Sequence, residues 1–386
     1  MSDTPIAKMS NGRRVSWPVE TWPEKDRLAW QRANTVGDFM DDDGEAAGWR
    51  PATHRALVGT YGRWLHHLDR TGLLDLDAAP SGRVTPEAIA SYVRSLRAAG
   101  CAPVTIASYV AQLSMMVQAL APNHSWSWLR EAQAKLQRRA SPSRNKRPLL
   151  KPITELIALG ADLMAAADAE VVQNGMVLSA AINFRDGLMI ELLARRQLRR
   201  RNFVSIEIGR HLTADGDGGY DLRFGVEETK GRHALEYRFP ESLLPALHRY
   251  LNVYRPFLVG LRSTRGQSRQ GTWPQAGTRL WVNQYGSPLG EEFFTEMVKD
   301  RTRARFGQAL NPHLFRDCAA TDIAAHDPAN ARIAASVLGH SDFTTTEAHY
   351  IHAQANLARA AYHDEILSIR KLASSDKRRA VAGRAA

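Results

Sequence analysis

Between Arg138 and Pro152 the chain gives up every pattern that could be buried. Arg138, Arg139, Arg144, Lys146 and Arg147 are interleaved there with Ser141, Pro142, Ser143 and Pro148. Charge at that density cannot enter a core, and proline continues neither a helix nor a sheet ladder. A chain of 386 residues is long enough for two cores. The stretch 138–152 therefore reads as a basic linker between two domains. A solvated, flexible connection satisfies this composition, and so does a strap that follows a phosphate backbone. The two are compatible.

Before the linker, apolar residues recur at helical spacing in three sets: Leu57, Tyr61, Trp64, Leu65 and Leu68; Ile89, Tyr92, Val93 and Leu96; Ile106, Tyr109, Val110, Leu113, Met116 and Val117. Each set predicts an amphipathic helix. Pro86 and Pro103 stand where helices begin, and Gly100 where one ends. This predicts a helical domain over 49–137. Residues 1–48 read as a partly ordered arm, with Trp17, Trp22 and Trp30 set among charges and packing on an unnamed neighbour.

After the linker, a domain is expected over 153–370. Phe184, Leu188 and Leu192, with Met189 and Leu193, mark one face of a helix. The period then changes to two. Leu222, Phe224 and Val226 alternate, as do Leu235, Tyr237 and Phe239, around the turn residues Thr229–Arg232. Pro240 opens a further helix through Leu243, Leu247, Tyr250 and Tyr254, and Arg279–Asn283 reads as a short strand. The fold class is mainly α with a small antiparallel sheet. A basic tail, 371–386, reads as disordered.

The formal net charge is +11, from 51 basic and 40 acidic residues. Such a surplus points to polyanions as partners. The two cysteines, Cys101 and Cys318, are far apart and lack metal-ligand companions, which argues against a disulfide scaffold or a zinc site. Cys318 reads as a small core residue. There is no run of eighteen apolar residues and no charged-then-apolar leader, so the expectation is a soluble, cytoplasmic, nucleoid-associated protein without membrane partners.

The chemistry concentrates near the C-terminus, where His313-x-x-Arg316, Leu338-Gly339-His340 and Tyr350 follow in order within forty residues. Singly, each is ordinary: a surface His-x-x-Arg, a glycine helix stop, a half-buried tyrosine. Together they suit attack on a phosphate by a phenol. Tyrosine oxygen, with a pKa of about 10, needs cations for the developing charge and groups that move protons. The arginine supplies a planar fork for two phosphoryl oxygens. This order resembles the C-terminal signature of the tyrosine recombinases, the phage-integrase family, and the helical stretch 85–120 resembles that family's core-binding domain.

The resemblance implies a two-domain clamp on DNA and two further catalytic residues. Lys230, at the tip of the expected hairpin, matches the family's lysine, a general acid for the departing 5′ oxygen. A solvated turn lysine is the plainer reading. The family's first arginine maps onto Arg199 in the run Arg195-Arg196-Gln197-Leu198-Arg199-Arg200-Arg201-Asn202. Here Gln197 replaces the usual glycine, implying an altered turn, and Asn202 replaces a carboxylate that would orient a neighbouring arginine. Tyr350 follows His340 by ten positions where the family commonly shows nine.

By resemblance, then, Arg199, Lys230, His313, Arg316, His340 and the nucleophile Tyr350 are the catalytic set. Arg195, Arg196, Arg200, Arg201, Arg138, Arg139, Arg144, Lys146 and Arg147 are expected on the DNA backbone. The implied activity is site-specific strand exchange without metal, ATP or other cofactor, by a tetramer on two double-stranded sites, with accessory proteins possible. A related topoisomerase and a catalytically silent DNA-binding accessory are the alternatives.

Overall fold

The computed structural model describes residues 16–141, 146–229, 233–261, 267–268, 271–272 and 274–326. The chain divides into two compact units, Met1–Asn145 and Lys146–Ala386.

The first unit is helical: α1 (Glu24–Ala33), α2 (Pro51–Arg70), the single turn α3 (Pro80–Arg83), α4 (Pro86–Ala98), α5 (Pro103–Leu120) and α6 (Ser127–Arg139). Prolines open α2 to α5 because the first helical position needs no N–H donor. Thr85 caps α4 by accepting from the Ala88 amide at 3.2 Å. Gly100, at φ 74°, takes the left-handed turn after α4. The core holds Leu57, Tyr61, Trp64, Ile89, Tyr92, Val110 and Leu113, the residues the periodicity predicts. The tryptophans' neighbour is this same core. Trp22 is buried and meets Tyr61 edge-on at 4.8 Å, and Trp17 and Trp30 pack beside it. A charge pair lies within the unit: Arg83 donates to both carboxylate oxygens of Asp26 at 2.7 Å, and the Tyr61 hydroxyl donates to Asp26 Oδ1 at 3.1 Å.

The second unit is built on two long helices, α7 (Ile153–Asn174) and α8 (Leu178–Arg195). They cross at Gly160 and Gly187, where a Cβ on either glycine would lie 2.6–2.7 Å from the other's carbonyl oxygen. The expected single apolar face of α8 is a correction: the helix is buried on every side from Phe184 to Ala194, including Arg185, Asp186 and Glu191. The polar members are paired. Arg185 donates to Asp186 Oδ1 at 2.6 and 3.0 Å and to the Val282 carbonyl at 2.8 Å, while Arg301 donates to Asp186 Oδ2 at 2.7 Å.

After the short α9 (Arg200–Val204) comes a three-stranded antiparallel sheet, β1 (Leu212–Ala214), β2 (Tyr220–Phe224) and β3 (Leu235–Arg238), in that order. The hairpin register places Leu222 opposite Tyr237 and Phe224 opposite Leu235. Val226 departs from the expected alternation: Val226–Glu228 form a 3-10 turn, closed where the Gly225 amide donates to Glu228 Oε2 at 2.9 Å. The expected strand at Arg279–Asn283 resolves into separate bridges, Glu207 to Arg279 and Val282 to Pro288.

The helix after Pro240 is α10 (Leu244–Arg249), a π turn (Tyr250–Tyr254) and α11 (Arg255–Gly260). Pro256 cannot donate to the turn before it, and the widened turn falls there. A two-residue ribbon, β4 (Gln267–Ser268) and β5 (Gly271–Thr272), precedes α12 (Glu291–Phe306) and α13 (Leu314–His326). Cys318 is buried as expected, and burial pushes its thiol up to about 11.

Candidate active site

Leu198 and Phe203, both buried, fix the backbone on either side of Arg199, which is the residue before α9. Phe203 stacks between Trp281 at 5.4 Å and Phe294 at 4.9 Å, and its carbonyl accepts from the Trp281 indole at 2.9 Å. The rigidity of that aromatic stack is what gives Arg199 a defined starting point.

Arg316 enters from α13. The Asn311 side chain accepts from the His313 and Leu314 amides at 3.0 and 3.2 Å, starting this helix in register. Arg316 is 6% exposed and donates to the Gln197 carbonyl at 2.6 Å, across 119 positions of sequence. The residue in place of the family's glycine thus receives the second arginine through its backbone. Burial and then the charge of Arg199 pull the Arg316 pKa below its ordinary value. For His313, burial is again the main cause of a lowered pKa, assisted by Lys146, Arg316 and Arg199 and opposed by Asp317. The lowered pKa favours the uncharged His313 ring, which keeps an accepting nitrogen.

These side chains line one cleft of about 730 Å³. Leu198, Arg199, Arg200 and Arg201 form one wall, Asn311, His313 and Arg316 another, and Glu291, Thr295 and Lys299 of α12 a third. The α12 wall was not singled out in the sequence; its charged face resembles any solvated helix surface. Tyr237 was likewise read only as a sheet residue. Burial raises its phenol, while Arg316, Arg199 and Arg196 pull it down, so it faces the same cations.

The remaining arginines of the run differ. Arg200 donates to Glu291 at 2.9 Å and to Thr295 at 3.3 Å. Arg201 is exposed and makes no ion pair among the described residues. Arg195 donates to Glu191 at 2.7 Å, and Arg196 spans to the Arg238 carbonyl on β3 at 2.8 and 3.0 Å. Arg138 and Arg139 are exposed at the end of α6, and exposed Lys146 lies 3.6 Å from Asp317. Arg144, Lys230, His340 and Tyr350 lie outside the described residues, as does the Arg147 side chain.

Asn202, in place of the family's carboxylate, donates to the Glu228 carbonyl at 3.1 Å. This ties α9 to the chain just before Lys230. Among the described residues, no group of three or more His, Cys, Asp or Glu could hold a metal.

Two guanidinium groups and an imidazole lining one cleft are side chains that can hold an anion and accept a proton. Residues 162–356 match the phage integrase family, and the chain belongs to that family. It is 26% identical over 189 residues to tyrosine recombinase XerD of Staphylococcus saprophyticus, covering 48% of this chain and 56% of that one. It is 28% identical over 197 residues to the XerD of Pseudomonas putida, covering 50% and 58%. The chain thus spans less than three fifths of these relatives. In fold it is similar to the XerH site-specific recombinase bound to its palindromic difH substrate, with TM-score 0.53, 13% identity, and coverage of 90% of this chain and 98% of that one. It is also similar to the Tn1549 transposon integrase in complex with transposon right end DNA, with TM-score 0.50, 14% identity, and coverage of 87% and 99%.

Proposed function

We propose that this chain is a site-specific DNA recombinase that cuts and rejoins strands through a covalent link to Tyr350. The convergence of Arg199, Arg316 and neutral His313 in one cleft is the observation that carries the reading. The two guanidinium groups hold the non-bridging oxygens of the scissile phosphate and stabilise its transition-state charge. The Tyr350 oxygen attacks phosphorus and its proton passes to His313. A new P–O bond to tyrosine forms as the P–O5′ bond breaks. Lys230 gives its proton to the departing oxygen, leaving a 3′-phosphotyrosyl link and a 5′-hydroxyl. His340 donates a hydrogen bond to the phosphate. Attack by a 5′-hydroxyl of a second duplex reverses these steps, so no ATP is consumed, and the arginines do the work of metal ions.

The partner is double-stranded DNA, as in the XerH and Tn1549 complexes. The DNA-backbone contacts proposed for the second unit are Arg195, Arg196, Arg200, Arg201, Lys146 and Arg147. Arg138, Arg139 and Arg144 belong to the first unit. The working assembly is a tetramer on two sites, in the cytoplasm with the nucleoid.

DNA recovered by pull-down and sequencing supplies the substrate for the test. On a suicide version nicked beside the cleavage point, wild type is expected to be trapped as a slowly migrating covalent species. Tyr350→Phe should bind the same DNA and trap none. Trapping by the Phe variant would reassign the nucleophile. No trapping by wild type would favour a silent DNA-binding role.

A further inference from the structure

Glu228 is held more completely than a turn residue requires. Its Oε1 accepts from His211 Nε2 at 2.9 Å and from Arg210 at 2.6 Å, and its Oε2 accepts from the Gly225 amide at 2.9 Å. Its backbone carbonyl accepts from Asn202 at 3.1 Å. His211 is 3% exposed and stacks on Phe224 at 5.1 Å. The Glu207 amide donates to His211 Nδ1 at 3.0 Å, so the proton of the neutral ring lies on Nε2 and points to Glu228. The His211 hydrogen bond is also the main cause holding the Glu228 carboxyl below its usual range. The far side of the turn is fastened too, since Thr229 Oγ1 donates to the His233 carbonyl at 2.7 Å. Lys230 is the next residue after Thr229 in the chain.

We infer that His211 is a positioning residue which, through Glu228, fixes the backbone just before Lys230, the residue proposed to protonate the leaving oxygen. The inference rests on the role proposed for Lys230. A proton donor works only when its donor atom is placed within hydrogen-bond reach of the atom it protonates, and a lysine has four rotatable bonds over which to lose that placement. Apolar residues would hold a turn at lower desolvation cost than a buried imidazole on a carboxylate. A directed hydrogen bond fixes a carbonyl and a backbone direction, which apolar packing does not. Asn202 couples Glu228 to α9, three positions after Arg199, so the chain before the lysine and the first arginine share one frame.

The leaving group decides the test. In ordinary DNA the P–O5′ bond breaks to an alkoxide that needs a proton. With a bridging 5′-phosphorothiolate the P–S bond breaks to a thiolate, which leaves without one. His211→Asn keeps an acceptor for the Glu207 amide but is too short to reach Glu228; His211→Gln keeps that reach. On ordinary DNA, Lys230→Ala should cleave on the order of a hundred-fold more slowly, and His211→Asn and Glu228→Gln roughly ten-fold more slowly, with His211→Gln near wild type. On the phosphorothiolate, Lys230→Ala, His211→Asn and Glu228→Gln should all return to within a few-fold of wild type. A fold defect would persist on both substrates. If Lys230→Ala is rescued and His211→Asn and Glu228→Gln are not, the positioning role is overturned. If Lys230→Ala itself is not rescued, the assignment of Lys230 falls, and the inference with it.

Discussion

Arg83 in the first unit and Arg316 in the second are both buried arginines, and they are set in different surroundings. Arg83 is closed by a bidentate carboxylate at 2.7 Å and by the carbonyls of Asp75 and Leu76 at 2.7 and 2.9 Å. Its charge is satisfied inside the fold and has nothing left to recruit. Arg316 gives Nη1 to a neutral carbonyl and carries the pressure of a second arginine, Arg199, in an open cleft. A buried pair that neutralises itself is architecture. Arg199 and Arg316, far apart in sequence, are like charges lining one cleft, and the field of Arg199 helps to lower the Arg316 pKa.

The largest expected effect breaks the closed side of this comparison. Asp26→Asn leaves Arg83 buried beside a neutral amide and should destabilise the protein by about 3–5 kcal/mol in chemical denaturation. A loss under 1 kcal/mol would mean that the pair is open to water. On the other side, Arg199→Ala should slow cleavage on the order of a hundred-fold or more while leaving DNA affinity within a few-fold and the unfolding midpoint nearly unchanged. Marked unfolding in that variant would make Arg199 architecture as well.

The pH profile sharpens the comparison further. His313 loses its accepting nitrogen only when protonated, and burial holds its pKa below the ordinary histidine value. Cleavage should therefore hold level through neutral pH and fall, by about tenfold per unit, only at pH below the ordinary histidine range. A decline already centred above pH 7 would contradict a neutral His313 pressed by arginines. The smallest effect belongs to Arg201. Arg201→Ala should weaken binding a few-fold and reduce the slope of log affinity against log salt by about one, with cleavage at saturating protein intact.

Local chemistry was legible where it repeats within a few residues. The helical periods of the first unit and the proline starts at 86 and 103 could be read from the chain, whereas the grouping of Arg199 with His313 and Arg316 was implied only by the family resemblance. What escaped depends on distance or on brevity. Asp26 and Arg83 are 57 positions apart, with no local sign of each other. Strand β1 has three residues, too few to show a period. The Asp215–Gly219 run before β2 is a turn signal that could have located it. The alternation through Val226 failed because Gly225 and Glu228 close a turn whose hydrogen bonds outweigh one valine's preference for a strand. Helix α8 misled in another way, since its buried charges are paid for by partners at 282 and 301, which periodicity does not see.

The contact between Gly160 and Gly187 works as a fulcrum. From Gly187 to the end of α8 at Arg195 is eight residues, about 12 Å of rigid rod, and Arg199 hangs from the end of that rod. A methyl group at Gly187 would meet the Gly160 carbonyl at the pivot and swing the far end by a comparable displacement. Catalysis of this kind is sensitive to errors of about an ångström. Two hydrogen atoms in place of two side chains thus set the aim of an arginine they never touch, and a genetic screen for lost recombination should reach them as readily as the arginine itself.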